Sequence, residues 1–181
     1  MSPRADAARN RSAVLRAADE VFVEHGVTAS TEEIARRAGL GIGTVFRHFP
    51  TKEALLKAVY EQRLEDLTTR ALTVGTGDAP LTWFREFFTD VATTSAKKLI
   101  LADALADMQL DADPATTARM RSALGSLLQR AQAAGIVRKD MSFDDLIALL
   151  IAAGRAAQDT ADAQTRTRLI NIILDGLEPR G

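Results

Sequence analysis

The chain contains no cysteine. That excludes disulfide staples, thiolate nucleophiles and cysteine-based zinc sites together. Histidine is almost as scarce: His25 and His48 are the only two, far apart and in no ligand-like cluster, so neither a metal nor another cofactor is expected. Aromatic residues are only 5% of the chain, and Trp83 is the single tryptophan. No apolar run approaches the roughly 20 residues that a bilayer-spanning helix needs. The N-terminus, MSPRADAARNR, lacks the apolar stretch of an export signal. These absences predict a soluble cytoplasmic protein with no membrane partner.

What the chain does have is alanine and leucine, with few β-branched runs, and that balance favours helices over sheet. With 181 residues it can bury a real core without staples, as one large domain or as a small and a medium one. The net charge of −1 hides an asymmetry. Residues 1–52 carry eight basic and six acidic groups, whereas residues 53–181 carry fifteen and eighteen.

Hydrophobic spacing predicts an all-α fold of roughly nine helices. The first runs from about Ala7 to His25, with Val14, Leu15, Ala18, Val21 and Phe22 on one face, and Gly26 stops it. Ser30 and Glu33 have the spacing of a capping box for a second helix, which ends at Gly39. The third covers roughly Ile42–His48, with Val45 and Phe49 facing inward. Pro50 breaks it, and Thr51 caps a long fourth helix reaching about Leu72. Thr73–Ala79 reads as a linker, and Pro80 suits the first turn of the next helix. Further helices are expected at about Ala96–Met108, from Pro114 to about Ala134, from the Ser142 cap to about Asp159, and at Ala163–Leu177.

The stretch Ser30–Lys52 stands apart. Two short helices meet at a glycine turn, and from Arg36 to Lys52 there are four basic residues (Arg36, Arg37, Arg47, Lys52), His48, and no acid. That is the pattern of a helix-turn-helix whose second helix lies against a polyanion. Close approach needs small residues and donors. Gly41 and Gly43 are small, Thr44 carries a hydroxyl, and Arg47 can reach a phosphate or pair with guanine. His48 and Lys52 can meet phosphates, as can the hydroxyls of Ser30 and Thr31. A plain helix–glycine–helix pair with surface arginines would share the pattern. The string Gly39-Leu40-Gly41-Ile42-Gly43 does not make a dinucleotide loop. Thr44 stands where that fingerprint needs glycine or alanine, and the preceding EEIARRA is helical, not a strand.

The segment TEEIARRAGLGIGTVFRHFPTKEALLKAV closely resembles the DNA-binding region of TetR/AcrR-family transcriptional regulators. Ile34-Ala35, Ala38-Gly39, Thr44, Phe46, His48-Phe49 and Lys52-Glu53-Ala54-Leu55 sit where that family's motif places them, and the match covers about residues 9–60. Further on, AAGIVRKD at Ala133–Asp140 is similar to the family's lead-in to its last two helices. The resemblance implies an all-helical homodimer in which three N-terminal helices bind double-stranded DNA and a variable C-terminal domain binds a small molecule. It implies DNA contacts from Thr31, Ile42, Gly43, Thr44, Phe46, Arg47, His48 and Lys52. Phe46 stands where the family usually has tyrosine; it lacks the hydroxyl that meets a phosphate, but it can still pack or touch a thymine methyl.

Residues 1–52 are thus expected to form the DNA-binding domain, linked by the long helix 51–72 to a ligand-binding and dimerisation domain over 53–181. No nucleophile with a general base can be named, so an enzyme is not expected. Trp83, Phe84, Phe87, Phe88, Met108, Met120 and Leu124 recur at helical spacing and either line an apolar ligand cavity or form ordinary core. Asp103, Asp107 and Gln109 are candidates for polar specificity there. The last two helices are apolar around much of their circumference, which suits either a two-fold interface or full burial within one chain. The interface candidates are Leu146, Leu149, Leu150, Ala153, Ala157, Leu169, Ile170, Ile173 and Leu177. The resulting expectation is a dimeric regulator, a repressor released from a near-palindromic operator by a small-molecule effector. The rival is a helical ligand-binding protein without operator recognition.

Overall fold

Residues 3–75, 82–94, 108 and 110–179 are described in the computed structural model, and no strand occurs among them. Helix α1 (Pro3–His25) starts about a turn earlier than its apolar spacing implies. A proline there loses no intrahelical bond, because the N–H groups of a first turn have no partner in the helix anyway. A short 3-10 turn (Gly26–Thr28) leads to α2 (Thr31–Ala38), and α3 (Ile42–His48) and α4 (Lys52–Thr73) follow. Residues 83–94 form α5. The last three helices are α6 (Pro114–Ala133), α7 (Phe143–Asp159) and α8 (Ala163–Leu177). The helix expected at about Ala96–Met108 lies outside the described residues apart from Met108, as do Asp103, Asp107, Gln109 and the expected helix start at Pro80.

Packing divides the chain into two compact units, one of Met1–Arg63 with Ile100–Asp113 and one of Leu64–Leu99 with Pro114–Gly181. The division falls inside α4, beyond Lys52, because that helix serves two cores. Its Leu55, Leu56 and Val59 are buried with Val14, Ala18 and Val21 of α1, Ile34 of α2, and Val45 and Phe49. Its Ala71 is buried with Trp83, Phe84, Phe88, Leu124, Leu127, Leu146 and Ile170 in the other.

The local signals differ in how completely they are realised. At α7, Ser142 and Asp145 form the full reciprocal box: Asp145 N–H donates to the Ser142 hydroxyl (3.1 Å), and Ser142 N–H donates to the Asp145 carboxylate (2.8 Å). At α2 only half of the expected box exists. The Glu33 N–H donates to Ser30 Oγ at 3.1 Å. The Glu33 carboxylate turns instead to His25 (3.4 Å), Arg36 (3.8 Å) and Arg37 (3.8 Å). With its carboxylate drawn towards the Arg36 and Arg37 guanidinium groups, Glu33 does not close the second half of the box on the Ser30 N–H.

Candidate nucleic-acid interface

Gly39 makes the turn between α2 and α3. Its φ is +67°, the left-handed region that a side chain resists, and Leu40 N–H donates back to Ala35 O at 3.0 Å. The chain then extends through Gly41 (φ −71°, ψ 147°), whose carbonyl accepts from Thr44 N–H at 2.9 Å. This geometry sets the rotation of α3. Val45 and Phe49, four residues apart, are buried. Full burial of such side chains stabilises the unit by about 1.5–3 kcal/mol each. Seen down a helix of 3.6 residues per turn, the remaining positions form three strips. Ile42 and Phe46 form an apolar flank, 37% and 44% exposed. Gly43 and Arg47 form the exposed crest opposite the core. Thr44 and His48, half-buried, form the other flank.

The four cations of this stretch divide by role. Arg37 is committed to the fold: its guanidinium donates both ways to the Glu24 carboxylate of α1 (2.6 and 2.8 Å). The hydrogen bond to Glu24 raises its pKa above the ordinary arginine value. Arg36 is largely exposed and stands 3.8 Å from Glu33. Arg47 makes no ion pair among the described residues. Lys52 opens α4 beside Glu53, whose carboxyl is held below its usual value by its own backbone N–H, then by the Thr51 hydroxyl and by Lys52. Ser30 Oγ accepts from Glu33 N–H, which leaves its O–H free to donate; Ser30 is exposed and Thr31 half-buried.

One cation escaped sequence reasoning. Arg11 of α1 lies over the Phe49 ring, 5.2 Å from its centroid, at the end of α3 that carries Arg47 and His48. No local motif connects positions so distant in sequence; only the packing of α1 against α3 does.

In the second unit, Trp83, Phe84, Phe87, Phe88 and Leu124 are buried in one cluster, with Met120 half-buried against it. Met108 is not among them: it is 41% exposed and belongs to the segment grouped with the first unit. A shallow hollow of about 330 Å³ beside this cluster is lined by Arg70, Thr73, Val74, Glu86, Phe87 and Asp90. The interface candidates also separate. Leu146, Leu150, Ala153, Ala157, Ile170 and Leu177 are buried within their own unit and so face inward. Leu149, Leu169 and Ile173 are half-buried. Ile172, an apolar residue of the last helix that is not among the interface candidates, is 60% exposed. It lines, with Ala148, Leu149, Ile173, Gly176 and the edge of Leu177, an open and mainly apolar hollow of about 430 Å³ beside α7 and α8, with Arg138 and Asp145 as its charged members. Apolar spacing marks both faces of such helices, and only the packing tells them apart.

The geometry defines a helix-turn-helix protein with a braced and cationic second helix. Comparison with known proteins narrows the class. The family of bacterial regulatory proteins called tetR matches residues 14–59, and the C-terminal domain of SbtR-like transcriptional regulators matches residues 79–179. A TetR transcription regulatory protein from Mycobacterium vanbaalenii is 39% identical, with 98% of this chain and 99% of that one covered at a TM-score of 0.77. A TetR transcriptional regulator from Streptomyces coelicolor is 32% identical, with 94% and 99% covered at a TM-score of 0.73. The HTH-type transcriptional repressor BepR of Brucella suis is 42% identical over 57 residues, 31% of this chain and 27% of that protein. The chain belongs to the TetR family of transcriptional regulators, which are DNA-binding proteins and not enzymes. It spans about a third of the length of the curated relatives it matches, such as BepR (27%) and SrpR of Pseudomonas putida (30%).

Proposed function

We propose that the chain acts as a homodimeric repressor that holds a near-palindromic operator through Ser30–Lys52 and releases it when a small molecule occupies the C-terminal domain. The observation that carries the DNA-reading part is the outward face of α3, where Arg47 makes no ion pair among the described residues and Gly43 leaves room beside it. Arg47 reads a base edge or a phosphate; Thr44 and His48 flank it; Lys52, Ser30, Thr31 and Arg11 hold the backbone. The repressor direction draws on the name of BepR. In this reading α4 carries the ligand signal. It shares side chains with both cores, so a ligand that repacks the aromatic cluster biases the helix that also supports α3. A change in the separation of the two α3 helices of a dimer then mismatches the half-site spacing. The apolar face of α7 and α8 around Ile172 forms the two-fold interface.

Selection of duplexes from a random pool, followed by titration in a gel shift, tests the DNA-reading part. Arg47→Ala should cost about 1–3 kcal/mol on the selected site and relax one base position. Lys52→Ala should weaken specific and random DNA alike and lower the salt slope by about one unit. Equal losses on both DNAs for Arg47→Ala would reduce that residue to a phosphate contact. Failure of the pool to yield any preferred site would leave a helical ligand-binding protein instead.

A further inference from the structure

Two of the most exposed large apolar side chains of the first unit, Ile42 and Phe46, stand side by side on one flank of α3. Neither is needed by the core, which takes Val45 and Phe49 from that helix. A hydrophobic pair held in water on a cationic surface calls for an occupant that is apolar in a small area and anionic around it. The surroundings are cationic: Arg47 is exposed beside the pair, and no acid occurs from Arg36 to Lys52. A protein surface of matching charge would be acidic and apolar together. A DNA major groove offers a narrower fit, since its only apolar group is the thymine C5-methyl, set among phosphates.

Resting on the DNA-reading proposal above, we propose that Ile42 and Phe46 are specificity residues that select thymine, each packing on a C5-methyl. Their Cα atoms are about 6 Å apart along the helix axis at 1.5 Å per residue. Base pairs rise about 3.4 Å, so the two side chains reach bases within about two steps of each other. Phe46 has no hydroxyl to give a phosphate, so its contribution is to sequence and not to charge neutralisation. Gly41 and Gly43 bracket Ile42 with no Cβ, which lets this flank approach the bases.

The test changes the DNA, so no protein variant has to fold for it to be decisive. A preferred duplex is first selected with the full chain. Each thymine in it is then replaced singly by deoxyuridine, which removes the methyl and keeps every hydrogen-bonding group. The expected result is a loss of about fourfold in affinity at one or two thymines per half-site, from roughly 0.8 kcal/mol per buried methyl-sized group. In Phe46→Ala the same replacement at the Phe46-dependent thymine should have no further effect, and Ile42→Ala should silence the other. Both variants should keep the salt slope of the parent, because neither removes a charge. A preferred site whose thymines all tolerate deoxyuridine would overturn this inference and leave operator recognition standing. So would undiminished methyl sensitivity in both variants. The absence of any preferred site would instead remove the operator reading itself, and this inference with it.

Discussion

In the first unit, α3 buries Val45 and Phe49 and leaves Ile42, Phe46 and Arg47 in water. In the second, α7 buries Leu146, Leu150, Ala153 and Ala157 and leaves Ala148 and Ala152 exposed, while α8 leaves Ile172 60% exposed. All three helices have one face in a core. They differ in what the other face offers. The α3 surface mixes an apolar flank with a cation, as a wet and charged partner requires. The α7–α8 surface is mainly apolar only around Ile172, with Arg138 and Asp145 at the margin, and such a patch is stabilised by another protein surface. Sidedness alone therefore says little about function; the chemistry of the exposed side distinguishes the two.

The largest expected effect separates the inward from the outward face of the second unit. Leu150→Glu places a charge at a position only 7% exposed, with no partner for it. It should cost about 4 kcal/mol or more and unfold that unit. Ile172→Glu, on the exposed face, should leave the helical signal and the fold intact while light scattering reports half the mass. A dimer that survives Ile172→Glu would place the two-fold interface elsewhere.

The next effect compares turns. Gly75 in the second unit and Gly39 in the first have nearly the same φ, +69° and +67°. A Cβ on Gly39 would meet nothing within 4 Å, whereas one on Gly75 would lie 2.6 Å from the Trp83 ring. Gly39→Ala should therefore cost about 1–2 kcal/mol for backbone strain alone. Gly75→Ala should cost about 2–4 kcal/mol, because the ring must also move. Trp83 is the only tryptophan, so its emission reports the displacement directly. Unchanged emission in Gly75→Ala with a small loss of stability would mean that the ring yields freely.

These turns also mark what could be read from the residues. Gly39 follows a helical run and precedes a basic one, so its role in the helix-turn-helix was legible, as were the bounds of α2, α3 and α8. The TetR-like motif carried the first unit because recognition depends on single residues at fixed spacing. The second unit was legible as helices but not as surfaces. Leu150 and Ile172 are equally apolar, and only the three-dimensional packing makes one core and the other surface. Arg37 shows the same limit within the basic stretch: in sequence it counts with Arg47, but the fold spends it on Glu24.

A smaller effect probes the bond between α1 and α4 in the first unit. Arg63 Nε donates to Asp19 Oδ1 at 2.5 Å, with the arginine side chain only 9% exposed. Burial pushes the Arg63 pKa down, and Asp19 opposes that shift. Asp19→Ala should lower stability by about 2–3 kcal/mol, below the full cost of breaking a buried pair because the carboxylate is partly in water. Asp19→Asn, which keeps an acceptor, should recover part of it. Equal losses for both changes in thermal unfolding would make charge, and not the hydrogen bond, the main contribution.

The smallest effect compares the two serine caps. Ser30→Ala and Ser142→Ala should each cost about 1 kcal/mol at neutral pH. Their pH dependence should differ. Ser142 works with the Asp145 carboxylate, whose pKa is lowered first by the Ser142 hydroxyl and then by the Ser142 backbone N–H. A carboxyl with a folded-state pKa below its unfolded value binds fewer protons when folded. Its contribution is therefore complete above the unfolded value, near 4, and is lost as pH falls through that value towards the folded one. Asp162, capping α8 through the N–H groups of Gln164 and Thr165, is shifted the same way and should fade over the same range. The Ser30 bond joins a hydroxyl to a backbone N–H, and neither group titrates there. Melting temperatures at pH 6 and pH 3 for the parent, Asp145→Asn and Ser30→Ala give the comparison. The gap between parent and Asp145→Asn should close on acidification, while the gap for Ser30→Ala should persist. A gap for Asp145→Asn that stays constant would show that the box at α7 acts through its neutral hydrogen bonds and not through the carboxylate charge.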